Sequence, residues 1–323
     1  MFTLAHLSDP HLGPLPRARF HQLLSKRLFG YVNWYRRQGV HRPEALDAIL
    51  TDLRAHAPDH TAVTGDLVNL ALPAEFTHAL AWLRGLGEAG DVSVIPGNHD
   101  AYVPQWGGDG FRLWTDYMRS DARGAEFLES GSAIFPYVRV FGEVALIGTS
   151  TARATAPFIA AGRLGRAQLG QLEAALEALA AAGLTRVLLI HHPPLPGMAS
   201  WRRGLHDARA LRDVLERVGT ELVLHGHEHR FTLNWLTWAG GITPIVGAPS
   251  ASAAASATRP SGHGKPPAAY HLYRIERDKA GCVIHMTRRG LIEGGARVGD
   301  LGEMRLSPTR GDANTGEILR KNG

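Results

Sequence analysis

His60-Thr61-Ala62-Val63-Thr64-Gly65-Asp66-Leu67-Val68-Asn69 is the stretch whose reading decides the fold. Its first half is short and β-prone, and it stops abruptly at a glycine followed by a carboxylate. The same grammar recurs four times. Phe2–Ser8 runs into Asp9-Pro10-His11, and Asp91–Ile95 runs into Gly97-Asn98-His99-Asp100. Thr185–Ile190 leads to His191-His192-Pro193-Pro194, and Glu221–Leu224 leads to Gly226-His227-Glu228-His229. A strand that ends in a sharp turn presents its next side chains at the sheet edge, where ligands collect in α/β folds. These blocks offer carboxylate, amide and imidazole groups but no thiolate, a donor set suited to hard and borderline divalent ions. Together they can hold two such ions side by side, an arrangement used above all for hydrolysis at phosphorus.

Helices are expected between the strands. Pro43–Ala57 opens with Pro-Glu and carries Leu46, Ile49, Leu50 and Leu53 at helical spacing. Pro73–Leu86, Phe111–Met118, Arg166–Ala182 and Leu205–Val218 read the same way, and Ala133–Val140 with Glu143–Gly148 reads as a hairpin. Further strands are expected over 231–238, 241–246, 269–275 and 282–288. Alternating strands and helices followed by a run of strands predict an α/β layered fold. One domain over residues 1–306 accounts for the pattern, with a mobile loop at 250–267 and a disordered tail at 307–323.

The chain has 323 residues, 44% of them hydrophobic, with a net charge of +5 and a single cysteine, Cys282. That excludes an internal disulfide framework and fits a reducing cytosol. With the first strand starting at residue 2 and no run of membrane-spanning length, a cytoplasmic protein is expected. The positive charge is uneven. From Leu12 through Pro43 there is no Asp or Glu, while Arg17, Arg19, Lys26, Arg27, Arg36, Arg37 and Arg42 are interleaved with aromatic and aliphatic residues. This insert, residues 14–43, is expected to be an extra helix or lid docked on the domain. The sharper expectation is contact with an anionic membrane surface through residues 17–42, at the inner face of the membrane. Nucleic acid is the weaker reading, because no groove-reading motif accompanies the charge.

In order and content the five blocks resemble the calcineurin-like metallophosphoesterase superfamily, whose pattern is Asp-x-His, Gly-Asp-x-x-Asp/Asn, Gly-Asn-His-Asp/Glu, a single His and Gly-His-x-His. The resemblance implies a four-layer fold, a β-sandwich flanked by helices with the metal site at strand C-terminal ends. It implies two divalent ions, manganese, iron or zinc. Asp9, His11, Asp66 and His229 would hold one, and Asp66, Asn98, His191 and His227 the other, with Asp66 bridging. His191 is preferred to His192 as the ligand because it lies nearer the strand. His99 would stand near the substrate as a proton donor, and Asp100 would orient it by accepting a hydrogen bond from its ring. Asn69 and His192 would support the ligands from behind. His225 reads as structural or as a support for the ligands, and the scattered histidines, such as His6, His60, His263 and His271, read as surface or satisfied core residues.

The implied activity is phosphoester hydrolysis, with a phosphodiester of the cyclic-nucleotide or glycerophosphodiester type as the expected substrate. Pyrophosphate cleavage in a lipid-linked or UDP-acyl-sugar substrate is the alternative, and a non-catalytic binding module keeping the fold is the third.

Overall fold

The computed structural model describes residues 1–36, 39–104, 110–129, 134–254, 265–278, 281–295, 297–308 and 318–319. In chain order the elements begin with β1 (Phe2–Leu7), α1 (Phe20–Leu23), α2 (Arg27–Arg36), α3 (Pro43–Ala55), β2 (His60–Val63), α4 (Pro73–Leu86) and β3 (Val92–Val94). A 3₁₀ segment (Gly110–Tyr117) and α5 (Ala122–Ala125) precede β4 (Tyr137–Phe141), β5 (Val144–Gly148), α6 (Arg166–Ala181), β6 (Thr185–Leu189), α7 (Ala208–Val218) and β7 (Leu222–His225). The chain then runs through β8 (Thr232–Trp238), β9 (Gly241–Gly247), β10 (Ala269–Asp278), β11 (Gly281–Ile292), β12 (Arg297–Leu306) and β13 (Ile318–Leu319).

These strands form two sheets, a seven-stranded one ordered β13-β12-β11-β10-β1-β2-β3 and a six-stranded one ordered β4-β5-β6-β7-β9-β8. The parallel heart of each sheet is a continuous apolar run because both of its faces are covered. Side-chain alternation shows how. Leu146, Val187, Leu189, Leu222 and Leu224 pack into the core between the sheets. Their neighbours Ala145, Ile147, Leu188 and Val223 join Leu169, Leu172, Leu176, Leu211 and Leu215 of α6 and α7 in a second core. The other sheet is covered in the same way, with Leu46, Ile49, Leu50 and Leu53 of α3 and Phe76, Ala79 and Leu83 of α4 fully in the core. The expected sandwich flanked by helices is the observed fold.

The parallel pairing β1–β2–β3 and β5–β6–β7 sets six strand ends along one rim, and the five metal-type blocks emerge there after β1, β2, β3, β6 and β7. Two expectations need correction. Residues 250–254 are not a loose loop: they are buried and bonded to the end of β1, with Ala251 N–H donating to Ser8 O (2.9 Å). Residues 255–264 of the expected loop lie outside the described residues. In the expected tail, Ile318 and Leu319 pair with Met304 and Glu303 of β12; residues 309–317 and 320–323 lie outside the described residues. Strand β12 itself was not anticipated, because Gly299, Gly302 and alternating charges interrupt its pattern.

Helix α3 is pinned to the sheet by a half-buried ion pair. Arg289 of β11 reaches Asp52 through Nε–Oδ2 and Nη2–Oδ1, both 2.6 Å, and the Tyr270 hydroxyl donates to Asp52 Oδ2 (2.7 Å). Burial opposes the charge on Asp52, but the Arg289 and Tyr270 hydrogen bonds win and hold its carboxyl below its ordinary value. A lowered folded-state pKa contributes stability that is complete above the unfolded value and lost as pH falls through the folded one. Asp52→Asn should therefore lower stability by about 2 kcal/mol at neutral pH, since it leaves a half-buried guanidinium with only Asp300 as a carboxylate partner. The difference in thermal midpoint from wild type should narrow as the pH drops below about 4; a difference that widens on acidification contradicts this assignment.

Candidate active site

The ligand-bearing turns are held in a backbone conformation that side chains normally avoid. Asp9 (φ 51°), His11 (φ 41°), Asp66 (φ 56°), His227 (φ 68°) and His229 (φ 53°) are five of the nine non-glycine residues with positive φ among the described residues. Such positions cost on the order of 1–3 kcal/mol each and persist where surrounding contacts over-determine them. Two glycines let the turns approach closely enough. A Cβ on Gly97 would lie 2.2 Å from Asp66 Oδ1, and one on Gly226 would lie 1.8 Å from Ser8 Oγ and 2.5 Å from Asp9 Oδ2.

The carboxylate of Asp66 is the meeting point. Its Oδ2 lies 3.4 Å from His191 Nε2 and 3.9 Å from His11 Nε2. On one side, His229 Nε2 stands 3.0 Å from Asp9 Oδ1 and 3.3 Å from His11 Nε2. On the other, His191 Nε2 stands 3.2 Å from Asn98 Oδ1, and the donor atoms of Asp66, His191 and His227 lie within 4.8 Å of one another. All seven of these residues are buried to 6% exposure or less. The structure thus gathers Asp9, His11, Asp66, Asn98, His191, His227 and His229 around one carboxylate.

Protonation suits this donor set. Burial alone would raise Asp66 and Asp9, but His191 and His99 beside the first and His229 beside the second hold both well below the ordinary carboxylate range. Burial, reinforced by neighbouring histidines, drives His11 and His227 far down and so leaves them neutral. Burial also lowers His229, against the pull of Asp9. His191 is the exception: burial would lower it, but Asp66 lifts it to about 9. Among the described residues, His227 Nε2 is buried without a hydrogen-bond partner, and Asp9 Oδ1 has only the His229 ring facing it. Two ionised carboxylates, neutral imidazoles and orphaned donor atoms converging on one point fit a pair of divalent cations.

Behind each ligand stands a fixing contact. Asp9 Oδ2 accepts from the Ser8 hydroxyl (2.6 Å) and from His227 N–H (3.0 Å), which leaves Oδ1 for the cluster. Ser8 Oγ accepts in turn from Thr64 Oγ1, which meets His6 Nε2, both at 2.8 Å. His6, driven to about 3 by burial, is a neutral imidazole at the head of a buried chain that ends on the Asp9 carboxylate. His191 Nδ1 donates to Thr64 O (2.6 Å) and is fixed in its tautomer by that bond. His192 has both ring nitrogens engaged, Nδ1 with Thr151 Oγ1 (2.6 Å) and Nε2 with Ala160 O (3.0 Å). It buttresses the site and has no lone pair to offer.

Asp100 does not orient His99. Its carboxylate accepts from the backbone N–H groups of Asp66, Leu67, Val68 and Gly97, at 2.8, 2.9, 3.0 and 2.8 Å. It therefore folds the turn that carries Asp66. Burial and the neighbouring Asp66 charge push Asp100 up, to about 7; its four partners are all donors, which only the ionised form satisfies in full. The ring of His99 is oriented by Asn69 instead, its Nδ1 donating to Asn69 O (2.6 Å), while its own N–H donates to Asp66 Oδ1 (2.7 Å). The Asn69 amide ties down Leu12 O, next to His11, at 2.9 Å.

Two contributors are invisible in the five blocks. Glu75 of α4 is buried, and its carboxylate accepts from Asn69, Leu70 and Leu72 N–H at 2.7, 3.1 and 2.8 Å, completing the turn that Asp100 begins. His41 lies 4.5 Å from His11 and 5.5 Å from His229 between ring centroids, anchored by Ser252 Oγ at 2.8 Å. Glu75 had a signal, an acidic residue three positions after the capping residue Leu72; His41 had none. His225 and His271 sit in the core, as expected of structural histidines, and His263 lies outside the described residues.

The profile of the calcineurin-like phosphoesterase family matches residues 2–231. The chain belongs to that family. Among solved structures, a dimetal phosphatase from Danio rerio is similar over 93% of this chain and 98% of its own, with TM-score 0.57 and 13% identity. A purple acid phosphatase from yellow lupin seeds is similar over 96% of this chain, with TM-score 0.56 and 12% identity. This chain spans about half of the lupin enzyme, 54% of its length. At such identities the likeness shows the shared fold. No curated protein matches the chain. Family membership and the His/Asp clusters together indicate a dinuclear divalent-metal site.

The role of Asp100 in this calcineurin-like phosphoesterase is open to a direct check. Asp100→Asn should lower the thermal midpoint and the bound-metal content together, because the Asp66 turn loosens. A variant with normal metal content and stability but a reduced turnover would restore Asp100 as a partner of His99.

Proposed function

We propose that this chain is a dinuclear metal-dependent phosphodiesterase. Asp9, His11, Asp66 and His229 would hold one ion, and Asp66, Asn98, His191 and His227 the other. The observation carrying this reading is that a single oxygen, Asp66 Oδ2, faces two separate groups of buried donors. Two ions bound there neutralise phosphoryl oxygens and acidify water. The protein's own part is positioning. Nδ1 of His99 is committed to Asn69 O, so Nε2 is the nitrogen left for chemistry, and it delivers a proton to the departing alcohol oxygen. Asn98 and the positive-φ turns keep the donors preorganised, so little reorganisation accompanies the reaction.

Support for a diester comes from the space around the cluster. The cavity containing His11, Asp66, His99, His227 and His229 has a volume of about 630 Å³ and extends to Gly30 and Trp34 of the insert, Tyr102, His41 and Lys265. That leaves room for an ester group on each side of phosphorus. A pyrophosphate link within a lipid-linked or UDP-acyl-sugar substrate is the second reading. It is favoured by the exposed apolar residues on α1 and α2, the same insert that walls the cavity.

With added manganese the protein should hydrolyse bis(p-nitrophenyl) phosphate, and chelation should abolish the activity. Asp66→Ala should lower kcat/KM by about a thousandfold or more, and His99→Asn should lower kcat by about a hundredfold with bound metal unchanged. A panel of a cyclic nucleotide, a glycerophosphodiester, a UDP-acyl-sugar and a phosphomonoester ranks the substrate classes. Turnover that survives chelation, or a preference for the monoester, overturns the proposal.

A further inference from the structure

Helix α2 lines the cavity with one face and leaves apolar residues exposed on another. Gly30, Asn33 and Trp34, at positions i, i+3 and i+4, line the cavity beside the metal-type cluster. Leu28, Val32 and Tyr35, one stripe at helical spacing, point into solvent. A surface helix ordinarily carries polar residues on its outer face. The apolar surface continues beyond α2: Phe20 is 80% exposed, Leu24 69%, Phe158 75% and Trp201 69%. Eight of the eleven exposed large hydrophobic residues among the described residues belong to these three segments, 20–35, 158 and 201.

The segments are tied together. Phe29 packs on Phe158 with ring centroids 5.4 Å apart. Lys26 Nζ donates to Thr155 Oγ1 (2.8 Å) and Ile159 O (3.0 Å), and Ala160 N–H donates to Arg202 O (2.8 Å). Arg27 Nε donates to Leu70 O (2.9 Å), which anchors α2 to the turn after Asn69. Lys26 and Arg27 therefore hold the insert on the domain. Arg17, Arg19 and Arg202 are exposed beside the apolar residues, and no Asp or Glu occurs from Leu12 through Pro43.

We infer that α1, α2 and the Phe158 and Trp201 loops form a docking surface for an anionic phospholipid bilayer, set beside the mouth of the metal-type cavity. Charge complementarity selects this occupant: arginines with no interspersed acid match anionic headgroups, while aromatic and aliphatic tips enter the interface. Leu24, Leu28 and Val32 have no use in stacking on bases, so nucleic acid fits the surface less well. Because Gly30 and Trp34 wall the cavity from the same helix, a phosphoester presented at the bilayer surface reaches the cluster without leaving the interface. The surface is defined by its own residues and does not depend on which phosphoester is cleaved.

Vesicle sedimentation of the full chain tests it, comparing phosphatidylcholine alone with phosphatidylcholine containing phosphatidylglycerol at low and high salt. Binding to the anionic vesicles should be at least tenfold tighter, and high salt should weaken it. The double variants Phe20→Ser/Leu24→Ser and Arg17→Glu/Arg19→Glu should each weaken it about tenfold while leaving hydrolysis of bis(p-nitrophenyl) phosphate in detergent-free buffer unchanged. Three outcomes overturn the inference: no binding to either vesicle, binding that both variants retain, or a soluble dimer that Phe20→Ser/Leu24→Ser dissolves. Vesicle binding without any hydrolysis would instead count against the phosphodiesterase reading and leave the surface intact.

Discussion

Asp66 stands at the end of β2 with its backbone in the left-handed region, and the rest of the site is arranged around keeping it there. Four N–H donors from residues 66–68 and 97 close on Asp100, and three more from residues 69, 70 and 72 close on Glu75. Two buried carboxylates thus absorb the backbone donors of a turn that no regular element could satisfy. Once the turn is fixed, Oδ1 of Asp66 takes the His99 N–H and Oδ2 is left between two groups of imidazoles. Placing this much negative charge in the interior is tolerable only where positive charge or donors answer it. Donors answer Asp100 and Glu75, and the histidine cluster answers Asp9 and Asp66.

This logic explains what the sequence revealed and what it hid. The blocks were legible because each ligand set is contiguous, chemically specific and stationed directly after a strand. Helices α3, α4 and α6 were legible because their apolar residues repeat at the helical period. The work of Asp100 was misread: its position beside His99 in sequence suggests a bond to that ring, whereas the strand-end turn aims it at the backbone of a different loop. His41, Ser8, Thr64 and His6 were silent because a hydrogen-bond chain between separate strands leaves no local pattern. The segment from Ser250 to Ala254 looked loose because small residues dominate it. Small residues are what let it run beneath Asp9, where Ser250 Oγ donates to Asp9 O at 2.7 Å.

The insert stands beside the site that the core fold builds. The core fold, shared with a dimetal phosphatase and a purple acid phosphatase at 12–13% identity, supplies the cluster. Residues 14–43 add a wall, held by Lys26 and Arg27 on one side and by Arg42 N–H on Ser252 O (2.9 Å) on the other. The fold fixes what chemistry the cluster can support. Gly30, Asn33 and Trp34 of that wall line the same cavity as His11, Asp66 and His99.

Asp66 Oδ2, faced by His11 on one side and His191 on the other, is proposed as the oxygen that two cations would share. Anomalous diffraction from manganese-loaded crystals tests it most directly. The account predicts two peaks about 3.5–4 Å apart on either side of Asp66 Oδ2, one within bonding distance of Asp9 and His229 and the other of Asn98 and His227. A single peak, or two peaks of which neither touches Asp66, would contradict it.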